Sequence, residues 1–266
     1  MSTSGLFDLQ NRTALVTGAG QGVGRAIAIS LAKNGAGAIA VNDVDAERAE
    51  SVAAEIQAVG VQAAAIVADV TDLNAVRRGV ATVTDRYGAI SILVNNAGNA
   101  GAAAFPQLRH FWETDPAQWR RFMDVNLYGV MNSCHAVLPG MIERRYGRIV
   151  TIISDSSRNI EPRLSDYAAA KAGAAGFMRG LAADAAAFGI TANCISIASL
   201  MPEMAPDELK DFLASDRSRR QLSKYPIRRY GRVEDIVGTA LLLCSDASAW
   251  TTGQTYPVNG GYSPSL

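Results

Sequence analysis

The sequence predicts an α/β fold in which one parallel sheet is covered by helices on both faces. Three observations support this fold class. Short runs rich in Val, Ile and Ala alternate with longer amphipathic stretches along the chain. The short runs are apolar at almost every position, as in strands that are buried on both sides of a parallel sheet. A glycine-rich turn, TGAGQGVG at 17–24, joins the first strand to the first helix, as in doubly wound nucleotide-binding sheets.

The elements follow one another in a regular order. RTALVT (12–17) is the first strand, 22–34 the first helix and AIAVND (38–43) the second strand. The next helix, 45–60, places Ala49, Val52, Ala53 and Ile56 on one face and ends at Gly60. The same reasoning predicts further strands at 62–69, 89–96, 147–153, 189–196 and 254–258, and helices at 72–87, 116–145, 166–188 and 233–245. A chain of 266 residues can fold in this way as a single domain, residues 1–266.

Two segments interrupt the alternation of strands and helices. Residues 97–115 have no clear periodicity, and residues 197–230 contain three prolines. Each segment follows the C-terminal end of a predicted strand, which is where open α/β sheets bind their ligands. We therefore expect both segments to be substrate loops.

Composition excludes several classes of protein. Lys and Arg total 25, as do Asp and Glu, so the formal net charge is zero and nothing attracts the chain as a whole to nucleic acids or anionic membranes. No apolar run reaches the length of a membrane span, and the N-terminus lacks the pattern of a signal peptide. The three cysteines, Cys134, Cys194 and Cys244, are too widely spaced for a disulfide framework or a zinc motif. We expect a cytoplasmic protein that binds no metal and acts on a small molecule.

The turn at 17–24 predicts a site for a dinucleotide. Gly18, Gly22 and Gly24 allow a tight turn, close approach of a pyrophosphate to the backbone and close packing of the helix on the sheet. The N-terminus of the helix adds N–H donors and partial positive charge for the phosphates.

Asp43 indicates which dinucleotide is bound. It ends the second strand about 20 residues after the last glycine, where a carboxylate is expected to bind the ribose hydroxyls. Its charge would repel a 2′-phosphate, no cation stands among the next residues Val44 and Asp45, and Gln21 occupies another position where a cation could have met that phosphate. This pattern favours NAD over NADP. The alternative is that Asp43 caps the next helix.

Asp69 ends the third predicted strand in a similar position. It could bind the adenine edge through its side chain or its backbone. A residue that only begins a loop is nearly as good an explanation of its position.

Ser154, Tyr167 and Lys171 form a candidate catalytic group. Tyr167 and Lys171 lie one turn apart on a predicted helix, so they share a face. A nearby ammonium favours the phenolate and lowers the pKa of a tyrosine, which would make Tyr167 a general acid or base near neutral pH. Ser154 ends the preceding strand, where it could hold a substrate oxygen, although Ser156 and Ser157 are alternatives and all three could be loop or cap residues.

Taken together, TGAGQGVG, Asp43, NNAG (95–98), Asn126 in DVNLYG, Ser154, YAAAK and the terminal GQTYPVNGG resemble the short-chain dehydrogenase/reductase family, in its compact single-domain branch. The resemblance runs from about residue 6 to residue 262. It implies a Rossmann sheet of seven parallel strands in the order 3-2-1-4-5-6-7, and a homotetramer or homodimer.

The resemblance also implies how the residues act. Tyr167 exchanges a proton with the substrate oxygen, Lys171 binds the nicotinamide ribose, Ser154 orients the substrate, and Asn126 holds a water through its backbone. Hydride passes between the substrate carbon and the nicotinamide. We expect the cofactor to contact Gly18, Gln21, Gly22, Val23, Gly24, Asp43, Val44, Asp69, Val70, Asn96, Ala97, Gly98, Tyr167, Lys171 and Leu200. We expect the substrate to contact Ser154, Asp155, Ser156, Leu164 and Tyr167, with Asp155 either binding a polar substrate group or only capping a turn.

One segment departs from the family pattern. Ile197 and Ala198 stand where Pro-Gly is usual, and Pro202 stands where a Thr that contacts the cofactor is usual. This places the nicotinamide pocket in question, but not the fold. The sequence therefore favours an NAD-dependent oxidoreductase that interconverts a secondary alcohol and a ketone, with an apolar, alicyclic or thioester substrate. A 3-oxoacyl thioester reductase and an NAD-binding sensor or scaffold with little turnover are the alternatives.

Overall fold

The computed structural model describes residues 5–99, 109–159 and 161–264. Within these ranges the strands form one seven-stranded sheet in the order β3-β2-β1-β4-β5-β6-β7, and every pairing is parallel. The predicted strand order and fold class are therefore confirmed. The strands are β1 (Thr13–Thr17), β2 (Ala38–Asp43), β3 (Gln62–Val67), β4 (Ile90–Asn95), β5 (Gly147–Ser154), β6 (Ile190–Ile197) and β7 (Thr255–Val258).

Helices cover the sheet on both faces, which confirms the doubly wound arrangement. Their bounds in the described ranges are α1 (Gly22–Lys33), α2 (Ala46–Ala58), α3 (Leu73–Tyr87), α4 (Pro116–Met123), α5 (Gly129–Arg144), α6 (Ser165–Ala185), α7 (Pro206–Ala214), α8 (Asp216–Ser223) and α9 (Val233–Cys244). One core packs α1, α2 and α9 against the sheet, and the other packs α3, α5 and α6 against the opposite face. Alternate strand residues serve the two cores, as in β1, where Val16 joins the first and Leu15 the second.

The structure corrects two of the predicted segments. The single helix expected at 116–145 is divided by a π-helical turn, Asp124–Tyr128, which separates α4 from α5. The predicted loop at 197–230 contains α7 and α8. Pro206 occupies the first turn of α7, where its missing N–H costs no hydrogen bond, and Ser215 caps α8 by accepting from the Ser218 N–H at 3.2 Å. Of the other predicted loop, 97–115, residues 100–108 lie outside the described residues.

Parallel pairing aligns the strand ends that carry the predicted site. Asp43 ends β2, Asn95 ends β4, Ser154 ends β5, and Ser154 is paired in register with Ile197 at the end of β6. These side chains therefore lie along a single edge of the sheet. None of the helices in the described ranges is long and apolar enough to cross a membrane.

Candidate active site

A cleft of 590 Å³ runs along the C-terminal edge of the sheet. Its volume lies within the usual range for small-molecule sites, about 300–1,000 Å³. Most of the residues predicted for the cofactor line it, namely Gly18, Gln21, Gly22, Val23, Asp43, Val44, Asp69, Val70, Asn96, Ala97, Gly98, Tyr167 and Lys171. The structure therefore brings the glycine-rich turn, the ends of β2 and β3 and the Tyr167–Lys171 face of α6 into one continuous surface.

The glycine-rich turn has the geometry that a pyrophosphate requires. Gly22 has a φ of +54°, a conformation that favours glycine, and nothing lies within 4 Å of the position where a Cβ would stand. The N-terminal turn of α1 therefore opens directly into the cleft. Gly24 packs inward, since a Cβ there would lie 2.3 Å from the Gly18 carbonyl oxygen. The Asn96 side-chain amide braces the turn from β4, because it donates to the carbonyls of Thr17 and Gly18 at 3.1 and 2.9 Å.

Asp43 lies at the far end of the cleft with its carboxylate buried. Its Oδ2 accepts the Gly20 N–H at 3.0 Å and its Oδ1 accepts the Asp45 N–H at 3.1 Å, so Asp43 ties β2 to the glycine-rich turn. The residue that caps α2 is Asp45, which accepts from the Arg48 N–H at 3.1 Å. The capping role considered for Asp43 is thus filled by its neighbour.

Asp69 begins a loop and also lines the cleft, and its contact with the adenine edge stays a prediction. Its Oδ1 accepts the Thr71 N–H at 2.8 Å, as a residue that begins a loop does.

Tyr167, Ser154 and Lys171 converge at the other end of the cleft. The Tyr167 hydroxyl is hydrogen-bonded to the Ser154 side chain. The Lys171 ammonium is buried one turn along α6 and donates to the Ile152 carbonyl of β5 at 3.0 Å. Phe122 packs edge-on against the Tyr167 ring, with 5.7 Å between the ring centroids, and fixes its orientation.

Burial dominates the acid–base properties of Tyr167 and Lys171. It raises the pKa of Tyr167 to about 12, with the Ser154 hydrogen bond lowering it and the charge of Glu161 raising it further. Burial also lowers the pKa of Lys171 to about 8. The sequence suggested that Lys171 lowers the pKa of Tyr167, but burial of the phenol raises it instead. In this environment Tyr167 is a neutral phenol, the form that donates a proton.

Asn126 and Lys171 both approach Gly98. A Cβ on Gly98 would lie 2.8 Å from the Asn126 Oδ1 and 3.3 Å from the Lys171 Nζ. The Asn126 amide donates to Asn99 and to the Phe122 carbonyl, whereas its buried Oδ1 has no hydrogen-bond partner among the described residues. Asn126 lies within the π-turn, a local feature that is frequent at functional sites. Glycine at position 98 is what allows these polar groups to lie so close to the cleft.

Comparison with known proteins decides the family. A family model described as "Enoyl-(Acyl carrier protein) reductase" matches residues 18–263. The 3-oxoacyl-[acyl-carrier-protein] reductase FabG of Staphylococcus aureus is 35% identical over 251 residues, which cover 94% of this chain and 97% of that protein. The chain belongs to the short-chain dehydrogenase/reductase family.

Solved structures of other oxidoreductases agree with this assignment. A gluconate 5-dehydrogenase from Burkholderia cenocepacia, in complex with NADP and tartrate, is 35% identical with a TM-score of 0.87, over 98% of each chain. A 7α-hydroxysteroid dehydrogenase, complexed with NADH and 7-oxo glycochenodeoxycholic acid, is 33% identical with the same TM-score and the same coverage of both chains. These short-chain dehydrogenase/reductase structures contain different nicotinamide cofactors.

The segment that departs from the family pattern continues β6. Without a proline, Ile197 pairs with both Ser154 and Val258 and lines the cleft. Leu200 lies outside the cleft, in the wall of a second cavity of 230 Å³, where it forms a bridge with Gly231. That bridge uses the Ser199 carbonyl and the Met201 N–H, at 3.1 and 2.8 Å from the Gly231 backbone, and leaves the N–H and carbonyl of Leu200 unused by it. The contact predicted between Leu200 and the cofactor remains a prediction.

The structure corrects the substrate role expected for Asp155. This residue is 1% exposed and is not among the residues that line the cleft. Its Oδ1 accepts from the Ser196 hydroxyl at 2.5 Å, and its Oδ2 accepts from the Asn259 amide at 2.6 Å and the Ser263 hydroxyl at 2.9 Å. Asp155 therefore joins the end of β5 to β6 and to the segment after β7. Two of these donors, Ser196 and Ser263, are buried, and the third, Asn259, is partly exposed, so the structure gives Asp155 a structural role.

The other predicted substrate residues remain near Tyr167. Ser154 and Ser156 share a hydrogen bond of 3.1 Å between their hydroxyls, and Leu164 stands at the N-cap of α6. Ser157 is a weaker candidate, because its hydroxyl donates to the Ser154 backbone carbonyl at 2.6 Å. Within the described ranges, no group of three or more His, Cys, Asp or Glu side chains is arranged to hold a metal ion.

Two charged residues of the site were missed by sequence reasoning. Arg48 lines the cleft beside Asp43, and its Nε lies 3.3 Å from the Asp45 Oδ2. It stands in the first turn of α2, beyond the two residues after Asp43 where a cation was sought. Glu161 accepts a hydrogen bond of 3.1 Å from Ser156, and its charge raises the pKa of Tyr167. Sequence reasoning missed it because it lies in an irregular segment between β5 and α6 that carries no motif.

Proposed function

We propose that this protein is an NAD-dependent oxidoreductase that interconverts a secondary alcohol and a ketone, with Tyr167 exchanging the proton. One observation carries the proposal: a single cleft runs from the Asp43 carboxylate, past the open N-terminus of α1, to Tyr167 and Lys171, and Ser154 is hydrogen-bonded to Tyr167. A dinucleotide extended along this cleft would have its adenosine at one end and its nicotinamide at the other. The orphaned Asn126 Oδ1 beside Lys171 also fits a polar ligand at the second end.

The preference for NAD rests on the charge of Asp43. A carboxylate held rigidly by the Gly20 and Asp45 N–H groups suits the two ribose hydroxyls and repels a phosphate at the same position. Arg48 is the residue that could oppose this preference, but its Nε is paired with the Asp45 Oδ2 at 3.3 Å.

Calorimetric titration of NAD and NADP into Asp43→Ala and its matched control Asp45→Ala tests this preference. We expect Asp43→Ala to bind NAD at least 10-fold more weakly and NADP more tightly than the wild type. In Asp45→Ala, which frees Arg48, we expect NAD affinity within about twofold of the wild type. Tighter binding of NADP than of NAD by the wild type would show that Arg48, not Asp43, sets the preference.

The residues of the site have distinct roles in this reaction. When bound, the cofactor accepts the hydride in oxidation and returns it in reduction. Tyr167 takes the proton of the substrate hydroxyl, or donates one to the carbonyl, and Ser154 holds the same oxygen by a hydrogen bond. Lys171 would bind the ribose hydroxyls near the nicotinamide. Family membership and the assembly of all three side chains support turnover over a purely structural or sensing role.

A medium-sized apolar or alicyclic alcohol is the substrate class that we favour. Phe111 and Trp112 are exposed on the segment before α4, and Phe111 stacks on Trp119 with 4.9 Å between their ring centroids. These rings could form the apolar wall of a substrate pocket. Phe105, the third aromatic residue of that segment, lies outside the described residues.

A panel of alcohols assayed with NAD tests the reaction directly. Cyclohexanol, a 7α-hydroxylated bile acid, gluconate and 3-hydroxybutyryl-coenzyme A represent the apolar, steroid, polyol and thioester classes, and NADH formation is followed by absorbance. We expect turnover of the alicyclic or steroid alcohol with NAD and little with NADP. Absence of NADH formation with every class, and of NADH consumption with the corresponding ketones, would contradict the proposal.

Reduction of a 3-oxoacyl thioester is the second candidate function. It is favoured by the neutral state of Tyr167, whose pKa of about 12 makes it a proton donor at neutral pH. It is also favoured by the similarity to a 3-oxoacyl-[acyl-carrier-protein] reductase. Acetoacetyl-coenzyme A with NADH distinguishes the two candidates, since faster turnover of this ketone than of any alicyclic one would favour the thioester reductase.

We further propose a single-domain cytoplasmic protein that assembles as a homotetramer or homodimer. Three buried free thiols suit a reducing compartment. On α5, Met131 is exposed and could meet a second copy, as could the neighbouring Tyr128 in the π-turn. Other apolar residues of these helices, Phe122, Val130 and Met178, are buried within their own chain. Sedimentation velocity would measure the oligomeric state, and a monomer at micromolar protein concentration would contradict the proposed assembly.

A further inference from the structure

A carboxylate stands beside the place where the substrate oxygen would bind. The Tyr167 hydroxyl is hydrogen-bonded to Ser154, and the hydroxyls of Ser154 and Ser156 lie 3.1 Å apart. The Ser156 Oγ in turn donates to the Glu161 Oε2 at 3.1 Å. Two hydrogen-bond lengths, about 6 Å at most, therefore separate the Ser154 Oγ from the Glu161 carboxylate. A small alicyclic molecule whose oxygen is bound at Ser154 can span that distance.

Glu161 has hydrogen-bonding capacity that its own chain does not fill. A carboxylate offers about four lone-pair sites. Among the described residues, the donors that reach it are the Ser156 hydroxyl and the hydroxyl of Tyr262, from the segment after β7. Glu161 is only partly buried and belongs to none of the ion pairs found in the described ranges. Acceptor sites on this carboxylate are therefore available to a ligand.

The charge of Glu161 acts on the groups around it. It raises the pKa of Tyr167 and of Tyr262, because one negative charge disfavours a second one nearby. The buried Asp155 carboxylate acts on the pKa of Tyr262 in the same direction. A hydroxyl or an ammonium group of a ligand is attracted to a site of this sign, whereas a carboxylate or a phosphate is repelled.

Two other carboxylates near Tyr167 lack this combination of features. Asp155 is 1% exposed and already accepts from three side chains. Asp166 precedes Tyr167 in α6, but it accepts from the Gln118 amide of α4 at 3.2 Å and from the Tyr167 N–H at 2.9 Å. Of these three carboxylates, Glu161 is the one linked to Ser154 by side-chain hydroxyls and open to a ligand.

We propose that Glu161 determines substrate specificity by binding a second donor group, a hydroxyl or an ammonium, on a carbon close to the carbinol that is oxidised. The inference rests on the oxidoreductase function proposed above, and it narrows the substrate class from alicyclic alcohols in general to diols and amino alcohols. An alcohol with a carboxylate or a phosphate at that place is rejected. Glu161 has no part in the transfer of the proton or the hydride.

A binding measurement tests this inference without turnover. In the complex with NADH an alcohol cannot react, because both the cofactor and the ligand are already reduced. Cyclohexanol, the separate isomers of cyclohexane-1,2-diol and cyclohexane-1,3-diol, 3-aminocyclohexanol and 3-hydroxycyclohexanecarboxylate would each be titrated by calorimetry. We expect the best diol and the amine to bind about 10-fold more tightly than cyclohexanol, and the carboxylate about 10-fold more weakly.

Two variants separate the hydrogen bond from the charge. Glu161→Gln keeps an acceptor oxygen for Ser156 and Tyr262 but removes the charge. It should retain part of the preference for the diol, while the amine and the carboxylate should bind within about twofold of each other. Glu161→Leu removes both, so the diol should bind no more tightly than cyclohexanol. Thermal unfolding shows whether each variant is folded, and Glu161→Gln carries the test alone if Glu161→Leu is not.

The matched control is Asp166→Asn, which removes a negative charge adjacent to Tyr167 in the chain. Because the Asp166 carboxylate bonds Gln118 and the backbone of α6, it should leave the ratios of the ligand affinities as in the wild type. Equal losses of discrimination in Asp166→Asn and Glu161→Gln would show that overall charge, and not contact with Glu161, sets the preference, and would refute the proposal.

Rates complete the comparison for the alcohols that are oxidised with NAD. The ratio of kcat/KM for the best diol to that for cyclohexanol should be about 10 in the wild type and about 1 in Glu161→Leu. A ratio near 1 in both proteins would overturn the role of Glu161 and leave the proposed function standing. Preferential binding of the diols to the NADH complex, with no alcohol oxidised, would uphold the role of Glu161 and contradict the proposed function.

Discussion

Replacement of Asp155 by Ala should destabilise the fold rather than weaken substrate binding. The carboxylate accepts three hydrogen bonds, from Ser196, Asn259 and Ser263, and Ser196 is completely buried. A hydrogen bond to a charged group contributes about 1.5–3 kcal/mol. Part of that sum is offset by the cost of burying the carboxylate, so the net loss should resemble that of breaking a buried pair, about 3–5 kcal/mol.

Urea denaturation and calorimetry would measure this loss for Asp155→Ala. About 3–5 kcal/mol corresponds to a fall in Tm of roughly 10 °C for a protein of this size. Asp216→Ala is a suitable control, because Asp216 is exposed in its pair with Arg219 and should contribute less than about 1 kcal/mol. Stability within about 1 kcal/mol of the wild type, together with a large rise in the substrate KM, would refute the structural role and restore Asp155 as a substrate contact.

Three further predictions follow from buried groups near the sheet. The pKa of Lys171 is lowered to about 8, so Lys171→Met should be more stable than the wild type by up to about 3 kcal/mol below pH 8. The difference should shrink between pH 8 and 10.5, where only the unfolded chain still holds the lysine proton. Gly98→Ala would drive a Cβ to 2.8 Å from the Asn126 Oδ1 and should lower kcat about 100-fold, whereas Gly180→Ala, with nothing within 4 Å, should keep full activity. Burial raises the pKa of each cysteine to about 12, so a thiol reagent at neutral pH should label the protein only after unfolding, at Cys134, Cys194 and Cys244.

Each of these predictions has its own contrary outcome. A Lys171→Met variant whose stability runs parallel to that of the wild type from pH 7 to pH 10.5 would show that the ammonium is not desolvated. Equal activity of the two glycine variants would show that the space at Gly98 is not tight. Rapid labelling of the folded protein would mean that at least one thiol reaches solvent.

The sheet and its covering helices could be predicted because apolar residues recur with clearly different periods in strands and in helices. Val16 and Leu15 serve opposite cores, which is why β1 is apolar at every position and recognisable as a strand buried on both sides. The π-turn around Asn126 could not be predicted, since it changes the hydrogen bonding within a helix without changing its apolar pattern. In the same way, α7 and α8 were missed because prolines in this segment indicated a loop, although Pro206 begins a helix.

The site was predictable where a motif fixes the side chain to a strand end or a helix face. Asp43, Tyr167 and Lys171 line one cleft, and Ser154 bonds Tyr167, because parallel strands end together and because residues one turn apart share a helix face. Asp155 follows Ser154 directly, yet the sequence does not show that its partners come from β6 and from residues after β7.

The contacts of Glu161 likewise could not be predicted from the sequence. Its contacts with Ser156 and Tyr262 depend on the path of an irregular segment between β5 and α6, which no period or spacing in the sequence reports. The expected lowering of the Tyr167 pKa also failed for a physical reason, because proximity in sequence to Lys171 says nothing about how deeply the phenol is buried.

The most direct test of the account compares the wild type with Tyr167→Phe. Both proteins would be titrated with NAD by calorimetry and then assayed for NADH formation with the alcohol that the wild type oxidises best. The account predicts NAD affinities that agree within about twofold and a fall in kcat of about 100-fold or more, because the phenyl ring keeps the packing against Phe122 but cannot exchange a proton. Tyr167→Phe that oxidises the alcohol at the wild-type rate would contradict the assignment of Tyr167 as the proton-exchanging group and, with it, the proposed mechanism.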